Sequence, residues 1–516
     1  MKRKLHTTFA AIHLGSEMLS MQITEYRGID RCKVVECCNR RIRLGEETFK
    51  NNIIPFSMVN EICDILQGFR QLMEEYGVEE YKLEATTAVR EASNQVFLLD
   101  QIYSKTGLVV EVVDMPQEIY TKYVAIRKTL AEEKITGDQE GMLMMDISSG
   151  GLGITMIQNE NIVYQENFHV GIIRIKESFE RNRRENMHFN TALTEFLSST
   201  IGPVRRQLQQ EKVRYLVLSG TETELLLKMQ GLDTSASVHR IKAADFREFF
   251  KQMRRLNLPQ LIKVYNIPEH VAELVLPTVL LYEQLLDLIP AEEIVVTSDR
   301  FIDGMQLLHI GSKTSPTLCK QWEQELIGLF HTIGSHYNYD KKHSQQVERL
   351  SLIIFDKIAK NYGMGSHERL LLRATALLHD IGKYLCMRSH SLYTYQLIMA
   401  TDILSLSDND KKIIALATYY HANRLFDKLN KRAPEVEKSM VAVVAKLAAI
   451  VRLADAMDRS YMQKISSCTV TVKDNELKVQ VKSRHNLTLE NWTFADKAAF
   501  FEEVYGLTPV LERVNK

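Results

Sequence analysis

The stretch Ala376-Leu-Leu-His379-Asp380-Ile-Gly-Lys383 places a histidine directly before an aspartate at the end of an apolar run. The residues from Leu370 onward favour helix and contain neither glycine nor proline, so the segment predicts a helix. On a helix, Ala376, His379, Asp380 and Lys383 occupy positions i, i+3, i+4 and i+7 and share one face. This face suits a metal ion with a phosphate group beside Lys383. The alternative is a surface helix with an incidental histidine and aspartate.

Three further segments supply side chains of the same chemistry. His343 opens an amphipathic helix, His421 ends a helix, and Asp455 lies within a third helical segment. Imidazole and carboxylate ligands suit Mg²⁺ or Mn²⁺, with Fe²⁺ and Zn²⁺ as alternatives, and do not select among them. A carboxylate such as Asp380 can bridge two ions, which would activate a bound water for attack on phosphorus.

The order of these residues along the chain, His, His-Asp, His and Asp, resembles the HD phosphohydrolase superfamily. His390 resembles the added ligand of its binuclear members, and an exposed loop histidine is the alternative. The resemblance implies a helical metal-binding domain in which Asp380 and Lys383 take part in catalysis. The implied metal ligands are His343, His379, Asp380, His390, His421 and Asp455.

Composition gives broad limits on class and location. The chain has 516 residues, 45% of them hydrophobic and 25% charged, and its formal net charge is +0, so polyanion binding requires local basic clusters. Seven cysteines without disulfide or metal spacing predict a reducing cytoplasm. The N-terminal segment reads as a strand rather than a signal peptide, and no run of about twenty apolar residues predicts a membrane span. No nucleic-acid-binding motif is present.

Hydrophobic patterning predicts an α/β first part followed by a mostly helical part. We expect an α/β lobe over residues 1–135, a second over 136–312, a helical metal domain over 313–466 and a small α+β piece over 467–516. Asp303-Gly304 predicts a loop, and the last piece predicts a hairpin around Asp474-Asn475 and a helix from Ala495 to Tyr505. Glycine-containing turns after buried strands in both lobes indicate a phosphate-binding cleft.

Four segments resemble motifs of the exopolyphosphatase/guanosine pentaphosphate phosphatase (Ppx/GppA) family. They are Ala11-Ile-His-Leu-Gly-Ser, Glu84-Ala-Thr-Thr-Ala-Val-Arg-Glu-Ala-Ser-Asn, Asp146-Ile-Ser-Ser-Gly and Ser219-Gly-Thr. The resemblance implies a two-lobed, actin-like (ribonuclease H-like) first half and an HD-type helical domain. It also implies hydrolysis of phosphoanhydride bonds in polyphosphate or guanosine pentaphosphate (pppGpp). Members of this family are often dimers, so a homodimer is the implied assembly.

The resemblance also assigns roles within the cleft. Glu118 corresponds to a glutamate that acts as a general base. Arg90 would hold a phosphate in bidentate fashion, and an ion pair with Glu91 or Glu84 is its alternative role. The implied substrate-binding residues are Gly15, Ser16, Arg90, Asp146, Gly150, Gly151 and Gly220.

Several cleft positions depart from the family motifs. His13 stands where the first motif has an acid, and Glu17 stands where it has a phosphate-binding asparagine. Ser148 replaces a glycine of the second motif, and Gln117 lacks a carboxylate. The helical part, by contrast, has every expected metal ligand.

Three functions follow from this contrast and stay open at the level of sequence. The first is a phosphoanhydride hydrolase that acts through the cleft. The second is a metal-dependent phosphohydrolase of nucleotides or cyclic dinucleotides in the helical part. The third is a sensor that binds a phosphorylated nucleotide without catalysis.

Overall fold

The computed structural model describes residues 7–179, 189–208, 213–234, 236–287, 290–423 and 434–514. The chain divides into two compact units, Met1–Trp322 and Glu323–Lys516. None of the helices in the described ranges combines the length and apolar character needed to cross a membrane.

The first unit begins with a five-stranded sheet in the order β3-β2-β1-β4-β5. β1 pairs antiparallel with β2 and parallel with β4, and its apolar residues Ala10, Ile12 and Leu14 are fully buried. Its strands are β1 (Thr7–Leu14), β2 (Met18–Gly28), β3 (Arg31–Arg41), β4 (Glu80–Ala85) and β5 (Glu111–Val112). Its helices are α1 (Leu44–Asn51), α2 (Phe56–Glu75), α3 (Thr87–Arg90), α4 (Gln95–Thr106) and α5 (Met115–Glu132).

A second, six-stranded sheet in the same unit has the order β10-β11-β9-β6-β7-β8. β6 and β9 run parallel, so Asp146 and Ser219 lie side by side at their carboxyl ends. The strands are β6 (Met142–Ile147), β7 (Leu152–Gln158), β8 (Asn161–Phe168), β9 (Tyr215–Ser219), β10 (Val238–Lys242) and β11 (Glu293–Thr297). The helices are α6 (Ile172–Glu177), α7 (Phe189–Leu208), α8 (Thr221–Met229), α9 (Ala243–Met253), α10 (Leu258–Tyr265) and α11 (Glu269–Leu286).

The predicted loop at Asp303-Gly304 is wrong, because both residues lie inside α12 (Phe301–Thr314). This helix follows the second sheet in sequence yet packs on the first, where Gln306 bonds to the side chains of Gln22 and Thr24. A Cβ on Gly304 would lie 1.9 Å from the Thr121 carbonyl oxygen, so the glycine permits close packing on α5 rather than a turn.

In its described residues, the second unit contains six α-helices and a three-stranded sheet in the order β12-β13-β14. A further helix, α13 (Pro316–His336), spans the division between the units. Asp474 and Asn475 have positive φ at the hairpin turn, as the sequence predicts. The last helix begins at Thr488 instead of Ala495, and the parallel strand β14 was not predicted. The elements are α14 (Lys341–Ile358), α15 (Ser366–Leu378), α16 (His390–Ala400), α17 (Asp408–Tyr420), α18 (Val441–Met457), β12 (Ser467–Lys473), β13 (Glu476–Lys482), α19 (Thr488–Tyr505) and β14 (Thr508–Arg513).

In the second unit, α19 packs on α18 of the helical part. The finer domain boundaries stay predictions.

Candidate metal centre and inter-lobe cleft

Glu118 lies on α5, near the start of the helix, and is buried between the two lobes of the first unit. Its Oε2 atom accepts hydrogen bonds from Thr87 Oγ1 and Arg90 Nη1, each at 3.1 Å. Arg90 also donates to the Val113 carbonyl oxygen at 2.6 Å and to Thr87 Oγ1 at 3.0 Å. These hydrogen bonds hold the guanidinium of Arg90 beside Glu118, and the guanidinium fixes the position of the Glu118 carboxylate.

The alternative role predicted for Arg90, an ion pair with Glu91 or Glu84, is wrong, because both glutamates pair with other residues. Glu91 forms a bidentate pair with Arg174, at 2.6 Å to each oxygen, and Glu84 pairs with Lys82. The use of Arg90 as a phosphate clamp stays a prediction, and in this structure its Nη1 and Nη2 atoms bond to protein groups.

Gly150 and Gly151 form the turn between β6 and β7, opposite Glu118. A Cβ on Gly150 would lie 2.4 Å from Thr87 Cγ2, so a glycine is required for this turn to approach α3. The partly open space here measures about 10 Å³, which is room for one water molecule. It is lined by Thr87, Met115, Glu118, Ile119, Asp146, Ser148, Gly151 and Gly153.

Asp146 lies at the end of β6 and accepts a hydrogen bond from Ser219 Oγ at 2.8 Å. The ammonium group of Lys122 forms an ion pair with the same carboxylate oxygen. Across the cleft, desolvation and then the charge of Lys122 lower the pKa of His13 to about 3. These residues do not fit a divalent cation, because the carboxylate already has a cationic partner and His13 supplies no negative charge.

The other predicted phosphate-binding residues lie at turns. The N–H of Gly15 donates to the Met18 carbonyl oxygen at 2.9 Å, and the carbonyl oxygen of Ser16 accepts from Gly45 at 2.9 Å. Gly220 directly follows Ser219 at φ 139°, a conformation that favours glycine, and precedes α8. Gly15 closes the β1–β2 hairpin and Ser16 bonds to the start of α1, so their role with phosphate stays a prediction.

In the second unit, the structure brings together all six side chains predicted as metal ligands. Nε2 of His343 lies 3.3 Å from Asp455 Oδ1 and 3.9 Å from Asp380 Oδ2. Nε2 of His379 lies 3.3 Å from Asp380 Oδ2, and Nε2 of His390 lies 3.5 Å from Asp380 Oδ1. Two groups of three residues, His343-His379-Asp380 and Asp380-His390-His421, each have donor atoms that lie within 4.8 Å of one another. Asp380 belongs to both groups.

The predicted helical face is wrong in detail, because α15 ends at Leu378 and a 3₁₀ turn covers Ile381–Tyr384. Asp380 and Lys383 still meet, since the Lys383 ammonium bonds to the Asp380 carboxylate within this tighter turn. Gly382 allows α16 to approach: a Cβ there would lie 2.1 Å from the His390 carbonyl oxygen. The turn, rather than a continuous helix, therefore brings His390 to Asp380.

Hydrogen bonds fix which nitrogen of each histidine carries a proton. Nδ1 of His379 lies 2.8 Å from the Ala376 carbonyl oxygen, and Nδ1 of His421 lies 2.5 Å from that of Thr418. A carbonyl oxygen only accepts, so Nδ1 must donate and Nε2 keeps its lone pair for a metal. In His343 and His379, Nε2 is a buried atom for which the described residues provide no hydrogen bond. These residues fit a divalent cation.

The charges of the cluster favour a cation as well. The pKa of Asp455 lies well below its usual range, because His343 and the neighbouring histidines outweigh the opposing effect of burial. Burial lowers the pKa of His421 to about 3, so this imidazole is neutral and able to bind metal. Burial also disfavours a charge on His343, but the nearby carboxylates of Asp455 and Asp458 raise its pKa to about 9. The carboxylates of Asp455 and Asp458 therefore favour a positive charge at this position.

Two residues of this centre were missed by sequence reasoning. Oδ2 of Asp458 lies 2.9 Å from His343 Nδ1 and directs the opposite nitrogen toward Asp455. Tyr461 stacks on the His343 ring at 3.6 Å and donates to Asp380 Oδ2 at 2.6 Å. The one available signal was the spacing of Asp455 and Asp458, three residues apart on a helix.

Replacing Asp458 by alanine is expected to weaken divalent-metal binding by roughly 10–100-fold, because His343 loses the group that orients it. A titration with Mn²⁺ measures the change. Asp496→Ala, an exposed position on α19, is the control and should bind metal like the unmodified chain. Equal affinity in all three proteins would show that Asp458 has no orienting role.

Comparison with known proteins places this architecture in a class of phosphatases. Residues 26–303 match the Ppx/GppA phosphatase family, and residues 330–496 match "Ppx/GppA phosphatase, domain III". The first match alone covers more than half of the chain. The chain belongs to the Ppx/GppA phosphatase family, whose members are hydrolases.

Individual relatives are distant. A guanosine-5'-triphosphate,3'-diphosphate pyrophosphatase of Aliivibrio fischeri is 20% identical over 415 residues, which cover 79% of this chain and 78% of that protein. A bifunctional 3-dehydroquinate synthase/phosphatase of Fusobacterium nucleatum is 21% identical over 145 residues, which cover 28% of this chain but 21% of that protein. The crystal structure of an exopolyphosphatase from Cytophaga hutchinsonii shares the fold, with a TM-score of 0.52 at 18% identity, over 59% of this chain and 98% of that one.

Proposed function

We propose that this chain hydrolyses phosphoanhydride bonds of polyphosphate or pppGpp, with Glu118 as the general base. The observation that carries this proposal is the position of Glu118 beside a space for one water molecule, facing the Gly150-Gly151 turn. Both of its hydrogen bonds go to Oε2, so Oε1 is left out of the Arg90-Thr87 clamp. The names of the relatives, a pppGpp pyrophosphatase and an exopolyphosphatase, support the same class of substrate.

In this proposal, water attacks the terminal phosphorus, the bridging P–O bond breaks and the proton of the water passes to Glu118. Arg90 holds the carboxylate in place through the same contacts that it makes in this structure.

A second candidate function rests on a different observation, the convergence of the six side chains predicted as metal ligands in the helical unit. We propose that this HD-type centre holds one or two divalent ions, Mg²⁺ or Mn²⁺ in the first instance, and hydrolyses a nucleotide or cyclic dinucleotide. A bound ion would lower the pKa of a coordinated water and offset phosphate charge. Lys383, held by Asp380 and Tyr461, would bind a phosphate oxygen at the edge of the centre.

Release of inorganic phosphate from polyphosphate and from pppGpp tests the first function, and cleavage of cyclic dinucleotides tests the second. We expect phosphate release from polyphosphate or pppGpp. Cleavage of cyclic dinucleotides alone would move the activity to the helical unit. No reaction with any of these substrates, together with measurable pppGpp binding, would instead indicate a sensor.

A further inference from the structure

Lys122 is a charged side chain that the proposed reaction does not use, although it pairs with Asp146, one of the residues that line the cleft. It follows Glu118 by four residues on α5, so both side chains leave the same face of the helix. The two do not pair with each other: Glu118 pairs with Arg90, and Lys122 pairs with Asp146. Lys122 and Asp146 are each only 8% exposed. Burying an ammonium group costs free energy unless the group is paired, so the ion pair with Asp146 stabilises Lys122 in its buried position.

The surroundings of Asp146 give the ammonium a specific role. Asp146 is the carboxylate to which a divalent cation in the cleft would have to bind, and one of its oxygens already accepts from Lys122 and Ser219. Hard divalent cations prefer several oxygen ligands, preferably carboxylates. Here His13 lies opposite, and its Nε2 is 3.2 Å from Thr86 Oγ1. The other carboxylate of the cleft, Glu118, has its Oε2 atom bonded to Thr87 and Arg90.

We propose that the ammonium of Lys122 is the resident cation of the cleft and takes the place of a divalent ion at Asp146. The inference rests on the proposed function of the cleft and specifies it: its phosphate chemistry proceeds without a metal bound to Asp146. Metal binding by this chain is then confined to the helical unit. The fixed positive charge of Lys122 neutralises Asp146 and so prevents repulsion between this carboxylate and an incoming phosphate.

The test uses the full chain with Asp380→Ala, which removes the ligand common to both donor groups of the helical unit. Mn²⁺ binding is followed by the loss of the electron paramagnetic resonance signal of free Mn²⁺. We expect no binding above background in this protein. We expect a new site when Lys122→Met is added, because methionine preserves the length of the side chain but leaves Asp146 free. Adding Asp146→Asn should remove that site again.

Charge-conserving and folding controls keep the result interpretable. Lys122→Arg retains a cation and should not gain Mn²⁺ binding, and Lys122→Gln is a second neutral variant if the methionine variant does not fold. Thermal unfolding gives an independent readout: Lys122→Met and Asp146→Asn should each lower Tm by several degrees. Together they should lower it by less than the sum, because the double variant leaves no unpaired buried charge.

Two results would overturn the inference. One is Mn²⁺ binding in the Asp380→Ala chain that is lost with Asp146→Asn, which would place a metal beside Lys122. The other is a folded neutral variant at Lys122 without a new site. Neither depends on catalysis, whereas failure of the proposed function would appear as absent phosphate release from polyphosphate and pppGpp.

Discussion

Replacing Glu118 by glutamine is expected to reduce kcat for phosphate release from polyphosphate or pppGpp by about 10²–10⁴-fold, the usual contribution of a positioned general base. Glutamine has nearly the same shape and keeps an oxygen that can accept from Arg90 and Thr87, but it cannot take a proton from water. Because the substrate contacts assigned to the cleft are unchanged, KM should change little. Steady-state measurement of phosphate release gives both constants.

Glu133→Gln is the matched control, since this exposed glutamate lies at the end of the same helix and makes the same chemical change. The control should retain full activity. Bound metal should be the same in both variants, because neither residue lies in the helical unit. If kcat in Glu118→Gln is undiminished, the cleft is not the source of the activity, and the metal centre is then the remaining candidate.

Arg90 illustrates how far the sequence could specify the cleft. The segment from Tyr81 to Arg90 predicts a strand that runs into a helix, and the structure has both, β4 and α3. The partner of Arg90 could not be read from neighbouring residues, because Glu118 lies twenty-eight positions away. In the same way, the spacing of Glu118 and Lys122 would pair them with each other, and only the approach of the second sheet gives Lys122 a different partner.

For the metal centre, the residues that come together could be predicted from the sequence, but the local backbone geometry could not. Its six candidate ligands could be chosen from sequence because histidine and aspartate occurred on four helical segments in a familiar order. What failed was local geometry, since α15 ends before His379 and Tyr461 occupies a positive φ of 58°. Tertiary contacts impose such conformations, which helix propensity does not report.

The errors in the fold have similar causes. Strand β14 contains Pro509, which lacks an N–H and argues against a strand, and it is accommodated because β14 lies at the edge of its sheet. The second error, at Gly304, followed from treating glycine as a turn residue when its small size was needed for helix packing.

Replacing Asp380 by alanine is expected to remove bound divalent metal from the helical unit altogether. Its two oxygens face different histidines, Oδ2 toward His379 and Oδ1 toward His390, so one substitution takes a ligand from both donor groups. The effect should exceed that of Asp458→Ala, because a ligand is lost rather than the residue that orients one.

Elemental analysis of the purified protein and titration with Mn²⁺ measure the loss, with Asp496→Ala as the exposed control that should keep its metal. Lys383 loses its anionic partner in Asp380→Ala, but it is partly exposed, so the cost of leaving its charge unpaired is small and the unit should remain folded. Any cleavage of nucleotides or cyclic dinucleotides that disappears together with the metal belongs to this centre. Two results would contradict the proposed ligand set: an unmodified chain that binds no metal, and an Asp380→Ala chain that retains metal. In either case Asp380, the carboxylate common to both groups, would not be a metal ligand.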